Sequence, residues 1–274
     1  MLTTRHGKAY AIARALRPGL GLEVVTHPGD TDALGTFSGE VERQLGPQET
    51  ALAKARLGAA AGGHRLLLAS EGSFGPHPEV PFVTVDQELV VLLDRETGHT
   101  VTGHATSLAT TTFSTVVAPD ADLDDVLARA DAPRHRLVVR PEGARATAGT
   151  VHKGIVGRSA LARAVAIAAE HSPSGAARVE TDLRAHVCPS RREVIARAAE
   201  DLAARAARLC PGCGIPGWGP QRTVRGAPCR ACGTATSSVD HVVWACGACP
   251  HEAISTEARP AGGAEPASCP RCNP

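Results

Sequence analysis

The chain has 274 residues, of which 43% are hydrophobic and 21% charged, and a formal net charge of +1. This is enough for one sizeable domain and a small second one, and so slight a charge excludes general attraction to nucleic acid or anionic membranes. No apolar run reaches the roughly eighteen residues of a membrane span. The opening Met1 to Lys8 has no apolar stretch of signal-peptide length, so the expected location is the cytoplasm.

In chain order, Leu2–Thr4 reads as a short strand, and 8–16 as a helix that stops before Pro18. Residues 22–26 form a strand pattern, 27–46 a long polar, glycine-rich loop, and 48–61 a helix entered through Pro47 and left at Gly62. The wholly apolar 66–69 is a strand, and 88–93 with 101–107 form a hairpin around Asp94 to Gly98. A helix over 122–130, a strand over 136–140, a helix over 158–170 and a strand over 179–181 follow. Ser190 to Glu193 has the spacing of a capping box for a helix reaching about Leu209. This alternation predicts an α/β domain on a mixed sheet flanked by helices over 1–209, followed by a module over 210–274.

Eight of the nine cysteines fall into four C-x-x-C pairs, Cys210/Cys213, Cys229/Cys232, Cys246/Cys249 and Cys269/Cys272. Fifteen residues separate the first two pairs and nineteen the last two. This is the spacing of four-thiolate zinc sites and predicts two structural Zn²⁺ ions. It favours sequential ribbons, with an interleaved pairing as the alternative. With four acidic side chains against five arginines, eight thiolates and two zinc ions bring the module to about −3. That disfavours nucleic acid as a partner and leaves a structural or protein-contact role.

Only three of the 29 basic residues are lysines, Lys8, Lys54 and Lys153. A lysine offers a compact point charge that the arginine fork does not replace, so each is worth locating. Three polar clusters follow strands, where α/β proteins keep their sites. Thr4, Arg5, His6 and Lys8 lie between a first strand and a first helix and suit an anion. Glu71 and Ser73 lie after the apolar strand, where a carboxylate suits a Mg²⁺ ligand or base. Arg184 and Arg191 flank the start of the last helix, where Arg191 opposes the helix dipole unless an anion lies over it. The ninth cysteine, Cys188, reads as a buried thiol, and His186 with Asp182 as either an acid–base pair or a surface pair.

Taken in order, Thr3 to Lys8, Leu20 to Val24, Glu49 to Ala55, Leu67 to Gly72 and Glu88 to Gly98 resemble the inosine/xanthosine triphosphate pyrophosphatase superfamily over about residues 1–118. Arg5 stands where that family has Asn, and Ser73 where it has a second glycine. The whole chain with its cysteine-rich tail is also similar to an uncharacterised bacterial family of unknown function. The first resemblance implies a Mg²⁺-dependent hydrolase that releases pyrophosphate from non-standard nucleoside triphosphates. Glu71 and Glu49 would be the catalytic carboxylates, with Lys8 and Lys54 on the phosphates and Lys153 a third contact from a later loop. The alternative is a non-catalytic nucleotide-sensing or protein-interaction module. A nucleotide or other phosphorylated small molecule is the expected ligand of either.

Overall fold

The computed structural model describes every residue except 5, 6, 37–39, 61, 78, 79 and 148. It divides into two compact units, one comprising Met1–Gly98 and Thr102–Ala203, the other His99–Val101 and Ala204–Pro274. Among the described residues no helix is long and apolar enough to cross a membrane.

The first unit opens with β1 (Leu2–Thr3), α1 (Ala9–Leu20), β2 (Thr26–His27), α2 (Pro47–Ala59), β3 (Leu66–Pro76), β4 (Thr84–Asp94) and β5 (Thr100–Ser107). The strands form a five-stranded sheet in the order β2-β1-β3-β4-β5. β1 runs parallel to β2 and β3, and β3 runs antiparallel to β4, so the sheet is mixed as the sequence predicts. Alternation along β3 and β4 sends Leu67, Ala69, Leu89, Val91 and Leu93 to the face covered by Ala51 and Ala55 of α2. On the opposite face, Glu88 of β4 pairs with Arg191 of α5 (Pro189–Ala206). A Cβ at Gly103 of β5 would stand 2.2 Å from the Leu202 amide nitrogen, so only glycine allows this approach. Gly19 of α1 lies against Ala203 of α5 on the same side.

The same unit holds a second sheet that the sequence did not disclose. β6 (Ser114–Val117), β7 (Leu137–Pro141), β8 (His152–Ile155) and β9 (Ala177–Thr181) are ordered β6-β9-β7-β8, each antiparallel to its neighbours. It packs on α4 (Arg158–Glu170) and α3 (Asp124–Arg129) through a core that includes Leu137, Val139, Leu161, Val165 and Val179.

The strand expected over 22–26 is instead Thr26–His27, and four further features differ from the sequence reading, each for a local reason. α1 runs through Pro18, because a proline in the last turn removes only one amide and left-handed Gly21 closes the helix on the Arg17 carbonyl. β3 continues seven residues past Ala69, since its pairing with β4 is unbroken from Leu66↔Asp94 to Pro76↔Thr84. The Ser70 to Pro76 segment, turn-like by composition, is therefore strand. Lys153 lies on β8 rather than in a loop. α5 begins at Pro189, and the Ser190 hydroxyl meets the His135 Nε2 at 3.0 Å while Glu193 pairs with Arg134, so the expected capping box does not form.

The second unit carries the three-stranded antiparallel sheet β10 (Gly219–Arg225), β11 (Val239–Ala245) and β12 (Glu252–Ser255), in that order. Trp218 and Trp244 are half-buried, with ring centroids 6.4 Å apart, and His251 stacks 5.1 Å from Trp218.

Candidate functional site: a lysine-lined cavity and two four-cysteine clusters

β1, β2 and β3 are parallel, so the segments that leave β1 and β2 emerge on one side of the sheet, where open α/β folds place ligands. A cavity there is lined by Thr3, Thr4, Lys8, Thr31, Asp32, Gly35, Thr36, Lys54, Ser70, Glu71, Lys153, Arg184 and Arg191. All three lysines of the chain thus meet around one cavity, although 145 residues separate the first from the last. Among the described residues, five lining cations face two lining carboxylates, Asp32 and Glu71.

Each side chain reaches the cavity for a reason visible in its element. Lys54 lies on α2 beside the sheet-facing Ala51 and Ala55, and Glu71 shares the α2 face of β3 with Leu67 and Ala69. The Lys54 ammonium donates to Glu71 Oε2 at 2.5 Å, and Arg43 donates to Glu71 Oε1 at 2.6 Å. The Gly72 amide also donates to Oε1 at 3.2 Å. Burial alone would raise the Glu71 carboxyl, but Lys54, Lys8 and Arg43 together hold it below the usual carboxylate range.

Lys8 stands at the start of α1 and is 8% exposed. Its ammonium donates to the Ser70 carbonyl at 3.3 Å; among the described residues this is its hydrogen bond, whereas Lys54 and Lys153 each hold a carboxylate. Burial, then the neighbouring Arg191 charge, draw the Lys8 amine down to about 8 against the opposing pull of Glu88 and Glu71. The buried Ser70 hydroxyl makes no hydrogen bond among the described residues and lies in the cavity wall.

From the α5 side, Arg191 is 1% exposed and pairs with the equally buried Glu88, while donating to the Leu183 carbonyl at 2.6 Å. Arg191, in the first turn of α5, thus has a carboxylate of the protein itself as its ion-pair partner. Gly72 makes room for it: a Cβ there would lie 2.2 Å from Glu88 Oε1. From the second sheet, Lys153 donates to Glu40 at 2.5 Å, and Arg184 grips Asp182 through Nε at 2.9 Å and Nη2 at 2.7 Å.

Other sequence candidates fall elsewhere. Glu49 does not line the cavity; its carboxylate accepts the Gly46 amide at 3.2 Å and caps its own helix. Ser73 is a residue of β3 paired with Gln87 and is not in the cavity wall. Arg5 and His6 lie outside the described residues. Cys188 is a buried thiol, 1% exposed and raised by that burial, and the Asp182 carboxylate is taken by Arg184 and the Gly154 amide. The sequence reading missed Asp32, Thr31, Thr36 and Arg43, all within its polar 27–46 loop. The available signal was position, since a loop leaving a strand parallel to β1 must emerge beside the β1 loop.

In the second unit the eight paired cysteines form two groups, Cys210, Cys213, Cys246 and Cys249, and Cys229, Cys232, Cys269 and Cys272. Within each group the ligand atoms lie within 4.8 Å of one another. The Sγ separations include 3.8 Å for Cys210–Cys249, 3.6 Å for Cys213–Cys246, 3.6 Å for Cys232–Cys269 and 4.0 Å for Cys229–Cys272. A tetrahedron with Zn–S of about 2.3 Å has edges of about 3.8 Å, so both groups could hold a structural zinc ion. The Gly212 and Ala248 amides donate to Cys210 and Cys246 sulfurs at 3.3 Å, the orientation a thiolate favours.

The pairing is interleaved, first pair with third and second with fourth, and not sequential. The strand order dictates this. The first pair precedes β10 and the third follows β11, and antiparallel pairing puts Gly219 beside Ala245. The second pair lies between β10 and β11 and the fourth follows β12, at the other end of the same meander.

A two-unit protein with an anion-suited cavity and an interlocked pair of four-cysteine clusters is the class defined so far. The family described as "Domain of unknown function (DUF6671)" matches residues 54–274, and the chain belongs to it. The match takes in both cysteine clusters together with Lys54, Glu71, Lys153, Arg184 and Arg191. No curated protein and no solved structure matches the chain.

Proposed function

We propose that the first unit binds a phosphorylated small molecule in the lysine-lined cavity, and that the second unit is a structural module holding two zinc ions. The observation that carries the first part is the meeting of Lys8, Lys54, Lys153, Arg184 and Arg191 around one cavity, with Asp32 and Glu71 the lining carboxylates among the described residues. Preorganised cations in a partly dry cleft attract phosphoryl oxygens far more strongly than the same cations in water. The experiment is titration calorimetry of the full chain with inorganic phosphate. Binding that weakens at least tenfold in Lys54→Met and in Lys153→Met supports the reading. Equal binding in both variants, or none in the native chain, sinks it.

Nucleotide hydrolysis is the second reading, drawn from the pyrophosphatase resemblance and supported by Asp32 and Glu71 sharing the cavity wall. As folded, the donor set does not fit a magnesium ion. Both Glu71 oxygens are engaged by cations, and Glu49 serves its own helix. Pyrophosphate release from inosine or xanthosine triphosphate with added Mg²⁺, lost in Glu71→Gln, would favour this reading. Phosphate binding without turnover leaves the binding module.

A further inference from the structure

The cavity that gathers the cations is small. Its volume of about 60 Å³, at roughly 10–15 Å³ per water-sized group, has room for about four to six such groups. That matches the oxygens of one phosphoryl group. Beside it lies a larger cavity of about 290 Å³, and Arg184 lines both. Its wall has a different chemistry. Thr84, Thr112, Ser114 and Thr181 bring hydroxyl oxygens, of which Ser114 and Thr181 donate to Glu180 and to the Thr111 carbonyl; Glu180 and Asp182 bring carboxylates held by Arg140 and Arg184; Phe113 brings a ring with the Arg129 guanidinium over one face; and Arg184 is the shared cation. Hydroxyl and carboxylate oxygens accept hydrogen bonds from neutral polar groups and do not favour further anionic charge. A ring face offers an apolar surface to a carbon skeleton.

Resting on the phosphorylated-ligand reading above, we infer that the ligand is a phosphomonoester of a polyhydroxylated body. Its single phosphoryl group occupies the lysine cavity, where the Ser70 hydroxyl is an unused donor. Its hydroxyl-bearing body occupies the larger cavity, and Arg184 stands at the junction. The test compares inorganic phosphate, tripolyphosphate, ribose and ribose 5-phosphate by calorimetry on the full chain. The expected result is that ribose 5-phosphate binds at least tenfold tighter than phosphate and that tripolyphosphate binds no tighter than phosphate. The gain from ribose disappears in Phe113→Ala and in Thr181→Val, while both variants keep the native affinity for phosphate, which also shows that they are folded. Equal affinity for phosphate and ribose 5-phosphate overturns the assignment of the second cavity. Tripolyphosphate binding tenfold tighter than phosphate overturns the single-phosphoryl assignment. Failure of all the phosphorylated probes to bind is a different outcome, and it removes the cavity reading itself.

Discussion

Among the described residues, the Lys8 ammonium has a carbonyl and not a carboxylate as its hydrogen-bond partner. Its amine is drawn down to about 8, whereas an unfolded chain gives it the ordinary lysine value of about 10.4. Between those values the unfolded state binds the proton and the folded state does not, so stability rises with pH across that window. Urea melts at several pH values should show this rise in the native chain and not in Lys8→Met. Phosphate affinity should move the other way, weakening as pH passes about 8, because a neutral amine no longer attracts the anion. Calorimetry in buffers of different ionisation enthalpy checks this by detecting proton uptake on binding near that pH.

Glu88 and Arg191 form the other residue-scale case, a pair with side chains 0% and 1% exposed. Removing one partner leaves the other charge buried, which costs about 3–5 kcal/mol. Arg191→Met should show a loss of that size in urea denaturation, and Glu88→Leu combined with it should recover most of the loss. The sequence made Arg191 conspicuous as a cation in a first helical turn. It could not show that its counter-charge lies 103 residues earlier, because pairing across that distance is decided by the sheet.

Among elements, the close approach of β5 to α5 is set by one glycine. Alanine at Gly103 would place a carbon 2.2 Å from the Leu202 nitrogen and 2.3 Å from the Ala198 carbonyl oxygen. Both are helix backbone atoms that cannot turn aside, so Gly103→Ala should destabilise the first unit by about 1–3 kcal/mol or more. A thermal melt of that variant beside Gly75→Ala on β3, whose added carbon meets nothing within 4 Å and whose φ is not positive, separates crowding from the loss of a glycine. Helices were largely legible in the sequence: the 158–170 segment forms α4 with its expected ends, since thirteen residues of helix formers carry their own signal. Strands were less so. β6 and β8 have four residues each, too few for alternation to show, and β3 hid behind Gly72 and Gly75, which ordinarily mark a turn.

At the scale of the molecule, the C-x-x-C spacing disclosed the ligands but left their grouping open, because grouping belongs to the meander and not to the spacing. The second unit has few large buried side chains apart from its cysteines; Val243 is one. Metal ligation should therefore supply much of its folding free energy. Metal analysis should find two zinc ions per chain. A strong chelator should expose Ala204–Pro274 to protease while the 102–203 part of the first unit stays protected. A single Cys229→Ser substitution should lower the metal content to about one ion.

The alternation of ligands also bears on what a cut chain would do. Residues 233–238 join the second cysteine pair to β11, and a break there leaves each fragment with half of both clusters. Loaded with metal, the nicked protein would migrate as one species, its pieces clasped at two points like the links of a shackle. Only when the ions were stripped would the pieces come apart.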